Sequence, residues 1–219
     1  RLPASTLCQL GFTARQAERL VLGAQGQVDN ALRWQESAAE HHIITFDDSR
    51  YPALLRQIKH PPLLLFVRGS AEVLSQPQVA MVGSRQPTPA GKQAARYFAA
   101  ELVQQGFVVT SGMARGIDSE SHYGALAGGG LTVAVLGSGL QQLYPRSNIK
   151  LAEQIAEHGA IVSEYFPDTA PQAKYFPLRN RIVVGLSQGT LVVEAALKSG
   201  SLISANLAAE NNRDVFEVP

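Results

Sequence analysis

Val79-Ala-Met-Val-Gly83-Ser-Arg85-Gln-Pro-Thr-Pro-Ala-Gly91 is the stretch on which the fold turns. A short apolar run ends on Gly-Ser-Arg, a proline-rich turn follows, and a helix then begins. Ala95, Phe98, Ala99 and Leu102 recur at helical spacing, with Lys92, Gln93, Arg96, Glu101 and Gln104 on the opposite face. Gly106 stops that helix, and Phe107-Val-Val-Thr110 has the character of the next strand. The pattern is a β-α-β unit whose first turn carries a glycine, a hydroxyl and a guanidinium. In open α/β sheets ligands bind beyond the carboxyl ends of the strands, where helix N-termini offer unpaired N–H groups, so this turn is shaped to hold an anion.

It matches neither common phosphate loop. A Walker A loop sets four residues between its glycine and Gly-Lys-Ser/Thr, whereas seven residues separate Gly83 from Gly91-Lys92, and Gln93 follows. A dinucleotide fingerprint needs three glycines. The turn has one, and the other candidate, Gly137-Ser-Gly139-Leu-Gln-Gln142, lacks the third.

From Val79 onward strands and helices alternate without a break. Strands are expected at 79–83, 107–110, 131–136, 160–163, 190–194 and 214–218, and helices near 91–105, 115–127, 148–158, 178–187 and 202–211. That rhythm implies an α/β domain, a doubly wound and mainly parallel sheet with helices on both faces. Before it, Ile43 to Pro52 and the run Pro61-Pro-Leu-Leu-Leu-Phe-Val-Arg-Gly69 supply an extended lead-in and an apolar strand whose start the double proline sets. Residues 1–42 form a small, all-helical module. Thr13 and Gln16 fit a capping box that leads Ala14 to Leu22 into a helix ended by Gly23, and a second helix is expected from Val28 to Glu40. Two domains follow, 1–42 and 43–219.

The 219 residues can bury a substantial core, and 45% hydrophobic with 17% charged residues is an ordinary globular balance. The net charge is only +1, so affinity for a polyanion must come from a local patch. The lone cysteine, Cys8, excludes an intrachain disulfide and suits a reducing cytoplasm. No apolar run approaches the ~18 residues of a spanning helix, and no membrane association is expected. Arg1 in place of Met, and Pro219 just after a strand-like run, read as cut ends.

The chemistry gathers just past the strand ends. After the first comes Gly83-Ser84-Arg85, and after the second Ser111-Gly112-Met-Ala-Arg115-Gly116-Ile-Asp118. The third leads to Tyr144-Pro-Arg146-Ser-Asn148, and the fourth to Lys174-Tyr-Phe-Pro-Leu-Arg179-Asn180-Arg181. Cationic side chains thus fall on the loops of one sheet edge among small residues that expose backbone N–H groups, as phosphate oxygens require. Tyr144, Tyr165 and Tyr175 accompany them and can stack on unpaired bases or pack in the core, while Phe166 and Phe176 read as core. Catalytic constellations are poor. The five histidines form no zinc motif, and neither Ser84 nor Ser111 sits in a nucleophile elbow, so neither a metal nor a cofactor is expected. Asp118 and Glu194 can be an acid pair at the sheet edge or partners that orient Arg115 and the turn.

Gly83-Ser-Arg85, Ser111-Gly-Met-Ala-Arg-Gly-Ile-Asp118, Ala134-Val-Leu-Gly-Ser-Gly139, Tyr144-Pro-Arg-Ser-Asn148, Phe176-Pro-Leu-Arg-Asn-Arg181 and Val193-Glu-Ala…Lys198-Ser-Gly-Ser201, in this order, resemble the DprA/Smf family of bacterial DNA-processing proteins. The resemblance runs from about Ile43 to Pro219. It implies an extended Rossmann-like domain that binds single-stranded DNA in a basic pocket, pairs into a homodimer, and helps load the recombinase RecA onto incoming strands during natural transformation. The family's pocket maps onto Arg85 and Arg146, and the phosphate-binding set expected here is Gly83, Ser84, Arg85, Ser111, Gly112, Arg115, Arg146, Lys174, Arg179, Asn180 and Arg181. Many members continue into a winged-helix-like module, for which this sequence stops too early.

An enzyme is the competing reading. Ser187-Gln-Gly-Thr-Leu-Val-Val-Glu194 is similar to the Gly-Gly-x-Gly-Thr…Glu segment of Rossmann-like nucleotide phosphoribohydrolases, but Leu186-Ser-Gln stand where the clustered glycines belong. A sensor of free nucleotides that signals through the helical module is the third.

Overall fold

The computed structural model describes residues 3–22, 25–195 and 200–218. It divides into two compact units, Arg1–Ala39 and Glu40–Pro219. The first holds α1 (Ala4–Gln9), α2 (Ala14–Leu22) and α3 (Gln25–Glu36), with Ala17, Ala31 and Trp34 buried. The capping box forms as its sequence dictates. The Thr13 N–H donates to the Gln16 carboxamide oxygen at 2.9 Å, and the Gln16 N–H donates to the Thr13 hydroxyl at 3.3 Å. Helix α3 starts three residues before Val28 and ends four residues before Glu40, and the stop assigned to Gly23 lies outside the described residues.

The second unit is one eight-stranded sheet. Its strands are β1 (His41–Thr45), β2 (Leu64–Gly69), β3 (Gln78–Gly83), β4 (Val108–Ser111), β5 (Thr132–Val135), β6 (Gly159–Ser163), β7 (Gly189–Val193) and β8 (Asp214–Val218), in the spatial order β1-β2-β6-β5-β4-β3-β7-β8. From β6 to β8 all neighbours run parallel, and only β1 and β2 are antiparallel additions at one edge. The inner strands are buried on both faces, which is why they read as continuous apolar runs rather than alternations.

Helices α5 (Pro89–Gln104), α6 (Ile117–Ala127) and α7 (Ile149–Glu157) pack in series, while the short α4 (Ala53–Arg56) joins α8 (Tyr175–Leu186) and α9 (Gly200–Glu210) in a second group. Strand β3 shows how one sequence serves both faces. Ala80 and Val82 enter the core shared with Ile182 and Val183 of α8, whereas Met81 between them packs with Ala95, Ala99 and Ile117 of α5 and α6. Helices α5 and α6 approach closely at Gly124, where a Cβ would stand 2.4 Å from the Arg96 carbonyl oxygen.

Helix α8 begins at Tyr175 rather than near 178, so Arg179, Asn180 and Arg181 lie on a helix and not on a loop. Pro177 reads as a helix boundary in sequence. In the first turn, however, its missing N–H has no intrahelical acceptor to lose, and the helix runs through it.

Chain order reverses between β3 and β7: β3 is followed through α5 by β4 on one side, and its other neighbour, β7, arrives after three intervening strands. This is the topological switch point, and the loops that follow β3, β4 and β7 crowd its carboxyl edge.

Candidate nucleic-acid interface

Backbone contact comes first at this edge. The Ser84 N–H donates to the Glu194 carbonyl at 2.9 Å, and the Ile117 N–H donates to the Ser84 carbonyl at 3.0 Å, so three loops are tied in a row. Gly83 is required there. A Cβ would lie 1.9 Å from the Val193 carbonyl oxygen and 2.6 Å from Ile117. Gly116 meets two demands at once, with φ +83° and a Cβ position 2.3 Å from the Ser84 carbonyl.

Glu194 completes the tie with its side chain. Both carboxylate oxygens accept from the Thr88 N–H, at 2.9 and 3.0 Å, and one accepts from the Thr88 hydroxyl at 2.5 Å. Thr88 is also the N-cap of α5, its hydroxyl oxygen accepting from the Gly91 N–H at 3.1 Å. A carboxylate at a helix N-terminus is favourably placed against the helix dipole. Of the two roles open to Glu194 in sequence, the structure therefore shows it holding a turn. The Thr-Pro dipeptide at 88–89 was the available sign of this cap.

The β4–α6 loop is trussed from beneath. The buried Asn148 amide donates to the Met113 carbonyl at 3.0 Å and to the Ser119 hydroxyl at 2.8 Å, while Ser119 donates to the Ala114 carbonyl at 2.7 Å. Asp118 is buried and accepts from the Ala114 N–H at 3.3 Å. Arg179, only 4% exposed, places its guanidinium over Gly112, where a Cβ would fall within 2.4 Å of two guanidinium nitrogens and of the Asp118 carboxylate. Its Nη1 donates to the Val135 carbonyl. Burial raises the Asp118 carboxyl above its ordinary value, with the Arg179 charge opposing most strongly, then the Ala114 N–H and Arg85. Burial likewise lowers Arg179, against the pull of Asp118.

Two adjoining hollows open on this edge. The inner one, about 360 Å³, lies among Ser84, Arg85, Gly112, Asp118, Phe176, Arg179, Asn180 and the start of α9 at Gly200, Ile203 and Ser204. The outer one, about 740 Å³, lies among Arg85, Arg115, Gly137, Tyr144, Pro145, Phe176 and Arg179. Arg85, Phe176 and Arg179 border both. Sequence reasoning assigned Phe176 to the core, but its ring fills the space that Gly137 leaves open and forms a wall of each hollow.

The expected set thus separates. Gly83, Ser84, Arg85, Gly112, Arg115, Arg179 and Asn180 line one or both hollows. Ser111 is fully buried, its hydroxyl donating to the Met81 carbonyl at 2.6 Å, and it acts beneath the surface. Arg146 is exposed in the turn directly after Tyr144 and Pro145 but borders neither hollow. Arg181 is held bidentately by Glu164 at 3.0 and 2.6 Å. Lys174 stands at the head of α8 with Nζ 5.2 Å from the centre of the Tyr175 ring. Tyr175 lies against Tyr165 with ring centres 4.2 Å apart, and Tyr144, 48% exposed, lies 5.5 Å from Phe176. Two aromatic pairs therefore accompany the cationic groups.

An open doubly wound α/β sheet with a cationic, small-residue hollow at its switch point is a Rossmann-like architecture. The chain belongs to the family described as DNA recombination-mediator protein A, whose model matches residues 42–219. It is 43% identical to protein Smf of Escherichia coli over 219 residues, all of this chain and 58% of that protein. It is 43% identical to the DNA processing protein DprA of Bacillus subtilis over 179 residues, 81% of this chain and 60% of that protein. Among solved structures, DprA of Streptococcus pneumoniae superposes with a TM-score of 0.81 at 39% identity, over 87% of this chain and 66% of that one. DNA processing protein A of Helicobacter pylori, solved for its single-stranded DNA binding mode, superposes with a TM-score of 0.74 at 36% identity, over 81% of both chains. The chain thus spans about three-fifths of the curated relatives in E. coli and B. subtilis.

His122 links this edge to pH. It is fully buried, with Nε2 2.6 Å from the Gly112 carbonyl and Nδ1 2.7 Å from the Thr132 hydroxyl. A carbonyl only accepts, so Nε2 carries the proton. Burial pulls the imidazole down from 6.5 to about 4, with the Arg179 charge adding to the effect and the Gly112 carbonyl opposing it. Above pH 6.5 both folded and unfolded chains hold a neutral histidine and nothing is gained or lost. As pH falls, only the unfolded state binds the proton, so stability drops, by about 2 kcal/mol between pH 7 and pH 5. Urea unfolding at the two pH values measures this, and His122→Gln is expected to remove most of the difference. Asp118 acts in the opposite sense and cancels in that comparison.

Proposed function

We propose that this protein is a single-stranded DNA-binding recombination mediator that grips the strand through its phosphates at the β3–β4–α8 edge. The observation that carries the reading is the hollow in which Arg85, Arg115 and Arg179 converge with small residues and aromatic walls. Guanidinium forks suit phosphate oxygens, and rings suit unstacked bases of any sequence. Membership of the DNA recombination-mediator family and the DNA-binding mode of the H. pylori relative support it. The full expected set, Gly83 to Arg181, is proposed as the phosphate-binding surface, with Arg85 and Arg115 as direct contacts, Arg146 and Lys174 as outlying ones, and Ser111 and Arg181 in support. The protein protects incoming strands and helps load a RecA recombinase in the cytoplasm during transformation. No helix among the described residues is long and apolar enough to cross a membrane.

Binding rather than catalysis is proposed because the two candidate carboxylates are already engaged, Glu194 at the head of α5 and Asp118 at the Ala114 N–H. A phosphoribohydrolase needs a carboxylate positioned at the ribose. Purified protein incubated with nucleoside monophosphates is expected to release no free base by chromatography. Sustained release abolished by Glu194→Gln would favour the enzyme instead.

A homodimer is proposed as the working form, since α9 presents Ile203 44% exposed on an otherwise weakly charged helix. Sedimentation at micromolar concentration should show a species heavier than 23.5 kDa, and a monomer alone would refute this.

Arg85→Ala should weaken binding to all single-stranded sequences alike and flatten the log–log salt dependence by about 0.7 per lost phosphate contact. Fluorescence anisotropy across a salt series measures both. A well-folded Arg85→Ala protein with wild-type affinity and slope would place the strand elsewhere.

A further inference from the structure

Two of the exposed cations of this edge stand on different turns. Arg115 lies in the loop between β4 and α6 and borders the outer hollow with Tyr144 and Pro145. Arg146 directly follows those two, in the turn that leads into α7. Neither guanidinium is in an ion pair among the described residues. A long side chain free at its tip holds no spacing of its own, so the separation of the two charges is set by the two backbones.

Those backbones meet at one side chain. Asn148 closes its own turn, its N–H donating to the Pro145 carbonyl at 3.0 Å, and its carboxamide oxygen accepts from the Ser147 hydroxyl at 3.1 Å. The amide nitrogen crosses to the other turn, donating to the Met113 carbonyl at 3.0 Å and to the Ser119 hydroxyl at 2.8 Å. Ser119 in turn donates to the Ala114 carbonyl at 2.7 Å. The two residues before Arg115 and the one after Arg146 are thereby tied to a single residue that is only 7% exposed. Among the described residues no other polar side chain bridges the two turns. The chemistry dictates the residue type. A carbonyl only accepts, and the Ser119 hydroxyl has spent its proton, so both bonds need donors from position 148. Asparagine has two. Ionised aspartate has the same shape with none, and serine has one.

We propose that Asn148 is a positioning residue for strand binding: it fixes Arg115 and Arg146 at one separation, so that a strand held by either guanidinium already presents its phosphates to the other. The proposal rests on the DNA-binding reading above. Groups on a common rigid frame engage a second contact at high effective concentration and with little ordering cost, whereas groups on turns that move separately engage independently. When contacts of the first kind lose one member, the other weakens too. Arg85 provides the reference, because its turn after β3 is held by Glu194 and Ile117 and not by Asn148.

Fluorescence anisotropy of the whole chain with a labelled single-stranded oligonucleotide tests this through a double-mutant cycle of Arg115→Ala and Arg146→Ala. With Asn148 in place, the double variant is expected to bind about fivefold more tightly than the product of the two single losses requires. With Asn148→Ala in the background, that factor is expected to fall to about one. The loss caused by Arg85→Ala is expected to be the same in both backgrounds, which a residue that merely supports the fold would not ensure. Urea unfolding of each variant establishes that the compared proteins are folded. If Asn148→Ala does not fold, Ser119→Ala removes one of the amide's two acceptors and is expected to lower the factor to about twofold. A factor undiminished in the substituted background, or a cycle with no coupling when Asn148 is present, overturns the proposal and leaves the DNA-binding reading standing. Disappearance of the Arg85→Ala effect together with the coupling marks a purely structural role and also overturns it. Binding unaffected by Arg85→Ala, Arg115→Ala and Arg146→Ala alike overturns both readings.

Discussion

The Glu194 carboxylate on the Thr88 N–H is the contact on which the binding edge depends. It joins the end of β7 to the head of α5 across the switch point, where β3 and β7 are parallel neighbours with Gly83 opposite Val193. The geometry is demanding. Glu194 adopts φ 53°, a left-handed conformation that costs a non-glycine residue on the order of 1–2 kcal/mol. Hydrogen bonds to an ionised carboxylate, each worth roughly 1.5–3 kcal/mol, offset that strain. From this clasp the order passes outward. Ser84 is held by the Glu194 carbonyl, Ile117 by the Ser84 carbonyl, and Gly116 fits beneath the Ser84 carbonyl because it has no side chain. Three loops from three strands are thereby fixed relative to one another before any ligand arrives, and a preorganised set of N–H donors and guanidiniums loses little entropy on binding.

Behind the loops the protein tolerates an expensive arrangement. Asp118, His122 and Arg179 are all buried within reach of Gly112, where most domains of this size would place apolar side chains. Each has partners that limit the cost: Ala114 N–H for Asp118, Gly112 and Thr132 for His122, Val135 for Arg179. The return is positional. Gly112 is clamped between a histidine that takes up its carbonyl and a guanidinium that lies over its Cα, so the β4 turn cannot relax away from the hollow. A glycine there is a matter of space, not of backbone freedom, since its φ is not positive.

Much of this was legible in the residues, for identifiable reasons. The alternation of apolar runs with amphipathic segments from Val79 gives the parallel sheet because buried strands and single-faced helices leave different periods. Gly83-Ser-Arg85 marks the edge only in company with the cationic loops after the other strands, because a glycine closing a strand is by itself the ordinary mark of a tight turn. What sequence spacing could not convey is which cations line the hollows. Arg179 and Arg181 are two residues apart on one helix, so they project in different directions, one over Gly112 and one onto Glu164. Only the three-dimensional partner decides between a binding group and an ion pair. The antiparallel β1 and β2 were equally hidden. A strand of Ile, Leu and Val says that it is buried without saying which way its neighbour runs.

The cations of this edge therefore fall into two physical kinds with different work to do. Arg85, Arg115 and Arg146 are exposed, and at physiological ionic strength, with a Debye length of about 8 Å, their attraction for a polyanion is short-ranged and sequence-blind. In the proposed function these are the groups that draw in a strand and let it slide. Arg179 is withdrawn from solvent, weakly screened, and fixed by the Val135 carbonyl. It contributes little to long-range capture. A group that reaches it, however, must enter a small hollow in a defined orientation and meet a donor in a low-dielectric setting, where a hydrogen bond is stronger than at the surface. On the proposed reading, capture at the rim and discrimination at the base are thus separated by burial, and only Arg85 and Arg179 of these four border both hollows.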